Sequence, residues 1–235
     1  MTHRQAAKIA LAGYAKVAGI PIPLGFNTAD TFGTAARTLT RRVQRKHRLP
    51  STGDLTPKTL LIIGKFLPGA LGKRATWCMR IVEGPLETLG NNLGPYVAEI
   101  QTLGSQYAAG PWPWCAAATS WAYRCAGWKS WTAFMKGTEE AWVPAWVKAA
   151  EEGKYGMSVV SWRSSRIGDP IAFRFSGPVP GHIGLLLGRP NLLTGNCLTV
   201  EANTSSGTSG SQADGDGLWR RSRNAKPPQT IIRIT

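Results

Sequence analysis

Two residues of this chain have the type and surroundings that covalent chemistry needs: Cys115 and His182. Cys115 lies in Pro-Trp-Pro-Trp-Cys-Ala-Ala-Ala (111–118), where a proline-rich turn runs into a small-residue helix. The first turn of a helix carries N–H groups without helical acceptors and the positive end of the backbone dipole. Both favour a thiolate, the reactive form of cysteine. His182 opens the apolar run His-Ile-Gly-Leu-Leu-Leu (182–187), and Gly181 and Gly184 leave room around its ring. His3 sits near the terminus and His47 in a basic run, so neither competes for the role. Glu201 and Asn203 follow two residues apart. If that segment is extended, both point to one sheet face, with Leu198, Val200 and Ala202 on the other. A carboxylate and an amide on a buried face are costly unless paired, and a histidine on a neighbouring strand would pair them. A competing reading ends the strand early and leaves both in the 204–217 loop. Nucleophile, base and orienting group together make the parts of a thiol hydrolase.

The elements that must position these residues follow from periodicity and punctuation. Cys115 to about Ala126 reads as one helix, slim because of Ala116, Ala117, Ala118 and Ser120, and stopped by Gly127. Helices are also expected over 76–88, 96–103 and 139–151, with a turn at Asn91-Asn92-Leu-Gly94-Pro95. From 169 onward the pattern changes to strands at 169–175, 182–187, 198–203, 217–223 and 230–234. Helices first and strands after is an α+β order, with helices packed on an antiparallel sheet.

Composition divides the 235 residues unevenly. Residues 1–74 carry 13 Lys or Arg against 2 acidic residues, whereas residues 75–235 carry 15 against 11. All 10 tryptophans lie from Trp77 onward. The expectation is a small three-helix domain over 1–70 and a larger one over 75–235, joined by Pro68-Gly-Ala-Leu-Gly72. The three helices span 4–18, a stretch capped by Asn27-Thr28 or Asp30-Thr31 and running to about Lys46, and one begun by Thr56-Pro57. Arg37, Arg41, Arg45 and Arg48 form a line along the second helix, either a solvated face or a docking surface for a polyanion. Arg4 and Lys8 precede a short apolar stretch that Lys16 interrupts, which reads as an amphipathic helix rather than a signal peptide. No apolar run is long enough to span a membrane. The four cysteines (78, 115, 125, 197) show no C-x-x-C and no regular spacing, so no disulfide framework is expected.

Two resemblances follow. Val43-Gln-Arg-Lys-His-Arg-Leu-Pro-Ser-Thr-Gly-Asp-Leu-Thr-Pro-Lys-Thr-Leu60 resembles the small three-helix peptidoglycan-binding domain, with one of that family's turn glycines missing. Trp114-Cys115-Ala-Ala, Gly168-Asp169-Pro-Ile-Ala-Phe, Gly181-His182-Ile-Gly-Leu-Leu and Glu201-Ala-Asn203-Thr204 occur in the order seen in the CHAP family of amidohydrolases/peptidases. Asn91–Pro95 and Asp216-Gly-Leu-Trp-Arg-Arg also look like segments of phage-type members; Ala202 stands where a glycine is common. The resemblance implies a papain-like fold, cleavage of an amide bond in peptidoglycan, and a chain that looks like a bacteriophage endolysin. Such a protein is made in the infected host cytoplasm and acts at the cell wall.

On that reading Cys115 attacks, His182 moves the proton, Glu201 orients His182, and Asn203 shares that role or lines the site. Trp112, Trp114 and Trp219 are expected in the substrate groove, and Arg37, Arg41, Arg45 and Arg48 at the wall. Gly168-Asp169-Pro170 reads as a structural turn. No cofactor is expected. The scattered histidines lack zinc-ligand spacing, and Asp214-Gly-Asp216 is too short for a complete calcium site. Bacterial peptidoglycan is the expected partner of a monomer, with no nucleic acid. The alternatives are a non-catalytic wall-binding or virion protein, and a muramidase using Glu83 and Glu87 as paired carboxylates.

Overall fold

Helix α1 (His3–Ala18) starts on a capping box between Thr2 and Gln5 and ends at Gly19 in the left-handed region. The structure, a computed structural model, describes the chain except Thr28, Asp30, Leu89, Gly90, Thr138, Ser176 and residues 207–214. Helix α2 is Thr34–Lys46. It starts later than Asn27 because Asn27 is otherwise engaged: its Oδ1 accepts the Ala29 N–H and the Nζ of Lys8. Lys8 is buried and also donates to the carbonyls of Ala29 and Thr31, tying this loop to α1. Thr28 and Asp30, the other expected caps, lie outside the described residues. Helix α3 (Pro57–Ile63) has the expected start, with Thr56 Oγ1 accepting the Thr59 N–H and Pro57 in the first turn.

Helix α4 (Leu71–Ile81) begins inside the expected linker and ends well before residue 88. A two-residue strand β1 (Gly84–Pro85) follows. Helix α5 (Pro95–Gly104) opens on proline, as Pro95 fits a first-turn position. Helix α6 (Cys115–Ala126) stops at Gly127, φ 89°. A short helix α7 (Trp131–Gly137) precedes the one expected over 139–151, which starts later, as α8 (Val143–Glu151).

The strands are β2 (Met157–Val160), β3 (Pro170–Phe173), β4 (His182–Leu186), β5 (Asn196–Thr204), β6 (Gly217–Asn224) and β7 (Thr230–Ile234). They form one antiparallel sheet in the order β1-β6-β5-β4-β3-β7-β2. The molecule is therefore α+β, with eight α-helices and seven strands among the described residues. No described helix is long and apolar enough to cross a membrane.

Alternation along the strands divides the sheet. Ile183, Leu185, Val200 and Ala202 join the main apolar core with α6. Ile171, Phe173, Leu186, Cys197 and Ile231 build a smaller cluster on the other face. His182, Gly184 and Glu201 alternate with the first set and so belong to this second face.

Helix α6 is the centre of the helical layer, buried along its whole length except at Arg124. Its small residues admit close neighbours. A Cβ on Gly104 of α5 would overlap the Ala117 carbonyl, and one on Gly64 would overlap the Cys125 carbonyl. This packing joins the two expected domains. Leu11, Leu39, Leu60 and Ile63 share one continuous core with Trp121, Cys125 and Trp146. Trp121 Nε1 donates to the Pro57 carbonyl at 3.3 Å, and Arg74 donates to the carbonyls of Lys65 and Ala126. No gap in packing marks the boundary expected near residue 70.

Candidate active site

The thiol is placed by a chain of buried polar contacts that begins in α5. Gln101 is fully buried. Its side chain accepts the Gly110 N–H at 3.0 Å and donates to the carbonyls of Gly110 and Trp112 at 2.9 and 3.0 Å. The turn leading into α6 is thus clamped from beneath. Trp114 occupies the N-cap position, and its indole Nε1 donates to Glu87 Oε1 at 2.9 Å. The other Glu87 oxygen accepts the Asn92 N–H at 2.8 Å, so the 87–92 loop is tied to the head of the helix. The first helical hydrogen bond of α6 runs from the Ala118 N–H to the Trp114 carbonyl. The amides of Cys115, Ala116 and Ala117 lie ahead of it, and no side-chain oxygen caps them.

His182 is the first residue of β4 and is fully buried. Its Nε2 lies 3.0 Å from Glu201 Oε2. With Nε2–H donating to that carboxylate, Nδ1 is left as the basic nitrogen. Nδ1 has no partner in hydrogen-bond geometry among the described residues, while the Cys115 thiol is near enough to act on the ring. Burial pushes the imidazole pKa down. The neighbouring Cys115 thiol and the Glu201 carboxylate outweigh it and hold His182 at about 9. The ring packs against both Phe173 and Phe175, with centroids 5.9 and 5.8 Å away, which restrains its plane.

Glu201 is anchored more heavily than a neutral orienting group would require. Burial alone raises its pKa, but His182 and Arg223 bring it down to about 2. Arg223 grips it with two nitrogens, Nε on Oε1 at 2.8 Å and Nη2 on Oε2. Thr199 Oγ1 also donates to Oε1. Arg223 in turn stacks its guanidinium on Phe173 and Phe175. One aromatic pair therefore supports both the imidazole and the cation behind the carboxylate.

Asn203 departs from the two-residue rule. It has φ 58° and sits at a β-bulge, where Ala202 pairs with Leu218 but Thr204 pairs with Gly217. It is buried, but the alternation that would set it beside Glu201 is broken there.

Cys115, almost fully buried, is one of the residues lining an apolar cleft of about 790 Å³. Trp112 lines it, and its Nε1 donates to the Ala108 carbonyl. Trp114 does not: it is fully buried behind the thiol, and its role is to anchor the helix cap. Trp219 lines a different cleft, where Nε1 donates to Asp216 Oδ1. The walls instead use Tyr107, Trp142 and Val179, all substantially exposed. Buried Glu140 braces the two sides. It accepts the Gln106 N–H at 2.6 Å, and its carbonyl accepts Trp146 Nε1.

The remaining polar residues have structural partners. Asp169 pairs with Arg233 at 2.8 Å and accepts the Arg166 N–H, in keeping with a turn. Glu83 is held by Arg80 and Arg220. Asp214 lies outside the described residues. Of the four arginines in the line, the three on α2 lean on the adjacent turn: Arg37 pairs with Asp54, Arg41 packs on Gly53, and Arg45 donates to Ser51. Arg48 is exposed with φ 55° at the helix end.

No sequence signal marked Arg223 or Gln101, because each acts on a residue brought near only by folding. The exposed aromatic residues of the cleft lacked a local mark for the same reason. No family model, curated protein or solved structure matches this chain.

Proposed function

We propose that this chain is a peptidoglycan hydrolase of the endolysin type, with a papain-like CHAP arrangement that cleaves an amide bond of the bacterial wall. The observation that carries the reading is the linked set Cys115, His182, Glu201 and Arg223. The thiol acts on one side of the imidazole, and a buried, cation-held carboxylate lies on the other. The ordered motifs around Cys115, His182 and Glu201 supply the substrate class.

In this mechanism His182 Nδ1 takes the proton from Cys115 Sγ, and sulfur adds to the amide carbonyl carbon. Charge moves to the carbonyl oxygen, where the Cys115 amide ahead of the first helical bond is placed to receive it. The imidazolium gives its proton to the leaving nitrogen as the C–N bond breaks. Water then opens the thioester with His182 as base, returning the thiol. Glu201 remains ionised and holds the Nε2–H tautomer and its positive charge, while Arg223 keeps the carboxylate charged and oriented. Both the N-acetylmuramoyl-L-alanine amidase and the peptide-stem endopeptidase reactions fit these steps.

The test is wall lysis by the purified protein and its Cys115→Ala variant. Loss of lysis with intact folding supports the thiol reading. Undiminished lysis would favour a carboxylate-dependent muramidase, and absence of lysis by both a non-catalytic wall binder. Mass analysis of the released fragments distinguishes new sugar ends from new peptide termini. We further propose a monomer without a nucleic-acid partner, made in the host cytoplasm and acting at the wall.

A further inference from the structure

A second cleft, of about 620 Å³, lies between the N-terminal helices and the β1–β6 edge of the sheet. It shares no lining residue with the cleft over Cys115. Three aromatic side chains from separate parts of the chain face it: Phe32 before α2, Tyr96 of α5 and Trp219 of β6. Two of its arginines are already fixed. Glu83, only 15% exposed, accepts Nε of Arg80 at 2.9 Å and Nε of Arg220 at 2.7 Å. Each guanidinium has further N–H donors on its Nη atoms, in the wall of the cavity. The Trp219 indole is likewise held, through Nε1 to Asp216.

We propose that this cleft binds the saccharide part of the polymer, a short run of amino-sugar rings, while the thiol cleft takes the amide to be cut. The identity of the ligand rests on the wall-hydrolase reading; the cleft itself does not. A pyranose offers flat C–H faces to aromatic rings and hydroxyls or an acetamido group to fixed donors and acceptors. This cavity presents both kinds of surface. Charge decides against a polyanion. Its charged lining is Arg4, Arg80 and Arg220 against Glu83 and Asp54, with His3 beside them, a formal balance of only +1 (3 − 2, His neutral) on a chain of charge +15. The α2 arginines, mostly engaged with their own turn, are poorer candidates for wall contact. Position favours a shared polymer. Trp219 lies on β6, two strands from His182 on β4, about 10 Å across the sheet at ordinary strand spacing. Engaging both N-terminal helices and the sheet edge also gives the shared core a functional purpose.

The probe is chitotetraose, titrated by calorimetry into the full-length Cys115→Ala protein, where hydrolysis does not interfere. Saturable binding is expected, weakened about tenfold by Trp219→Ala and comparably by Tyr96→Ala, which tests another wall should the first variant fold poorly. Trp112→Ala, in the thiol cleft, should leave the affinity as it is. Absence of saturable binding would overturn the proposal. So would binding lost with Trp112→Ala but retained in Trp219→Ala and Tyr96→Ala, which would put the saccharide over the thiol. Wall lysis by the unmodified protein is read separately. A lytic protein without chitotetraose binding refutes only this cleft, and a binding protein without lysis refutes only the hydrolase.

Discussion

Gly184 stands directly across from Glu201 in the β4–β5 register, and a Cβ placed on it would overlap the Glu201 Cγ. The carboxylate passes over this glycine to reach His182 on the same strand, two residues back. The glycine is needed for space, as its φ is not in the left-handed region. Gly184→Ala should therefore displace Glu201 and loosen the Nε2 contact while leaving the strand paired. We expect wall-lysis rates to fall by roughly 10²-fold, the scale of a misplaced catalytic group, with modest loss of thermal stability. Near-normal rates would show that Glu201 is not needed where it stands.

Arg223 carries a heavier structural load. Removing one partner of a buried ion pair leaves the other charge uncompensated, at a cost of about 3–5 kcal/mol. Arg223→Met keeps much of the apolar stem against Phe173 and Phe175 but strips the charge from Glu201. The variant should unfold at clearly lower denaturant, and the second change Glu201→Gln should recover part of that loss. Equal losses that simply add in the double variant would show the two residues to be energetically independent.

Titration gives a sign that can be checked. His182 is raised from 6.5 to about 9, so its contribution to stability is complete below about pH 6.5 and drains away as pH rises through about 9. Glu201 is lowered from 4.5 to about 2, so its contribution is present above about pH 4.5 and is lost as pH falls through about 2. The imidazolium that must protonate the leaving amine is lost on the same alkaline limb. Rates should decline as pH rises through about 9, and Glu201→Gln, which removes a negative charge that raises the His182 pKa, should move that limb to lower pH. A limb that stays in place in Glu201→Gln would break the link between carboxylate and imidazole.

What the sequence made legible is local. Cys115 at a helix start, Gly127 at its end, the Thr56-Pro57 cap and the strand segments from residue 169 onward all depend on neighbours within a few residues. The structure has each of them. What it hid depends on register and tertiary packing. The bulge at Asn203 breaks a two-residue rule that holds along the rest of β5. Trp112 and Trp114 are two apart and each follows a proline, yet one lines the cleft and the other is fully buried. The charge step near residue 74 suggested two domains, but charge describes surface and says nothing of how closely two cores pack.

That merged core makes the last prediction. Leu60 and Ile63 of α3 are fully buried, and the surface covering them includes α6. Trp121, also fully buried, donates its indole N–H to the Pro57 carbonyl. Cutting the chain after residue 70 would expose this apolar side of α1 and α3, at about 1.5–3 kcal/mol for each large side chain returned to water. A three-helix unit of that length has only a few kcal/mol of net stability to lose. Residues 1–70 alone should therefore show a shallow thermal transition by circular dichroism, whereas the full chain should unfold in one step that includes both regions. A sharp, independent transition from residues 1–70 would mean that the shared core adds little and that the two regions are energetically separate.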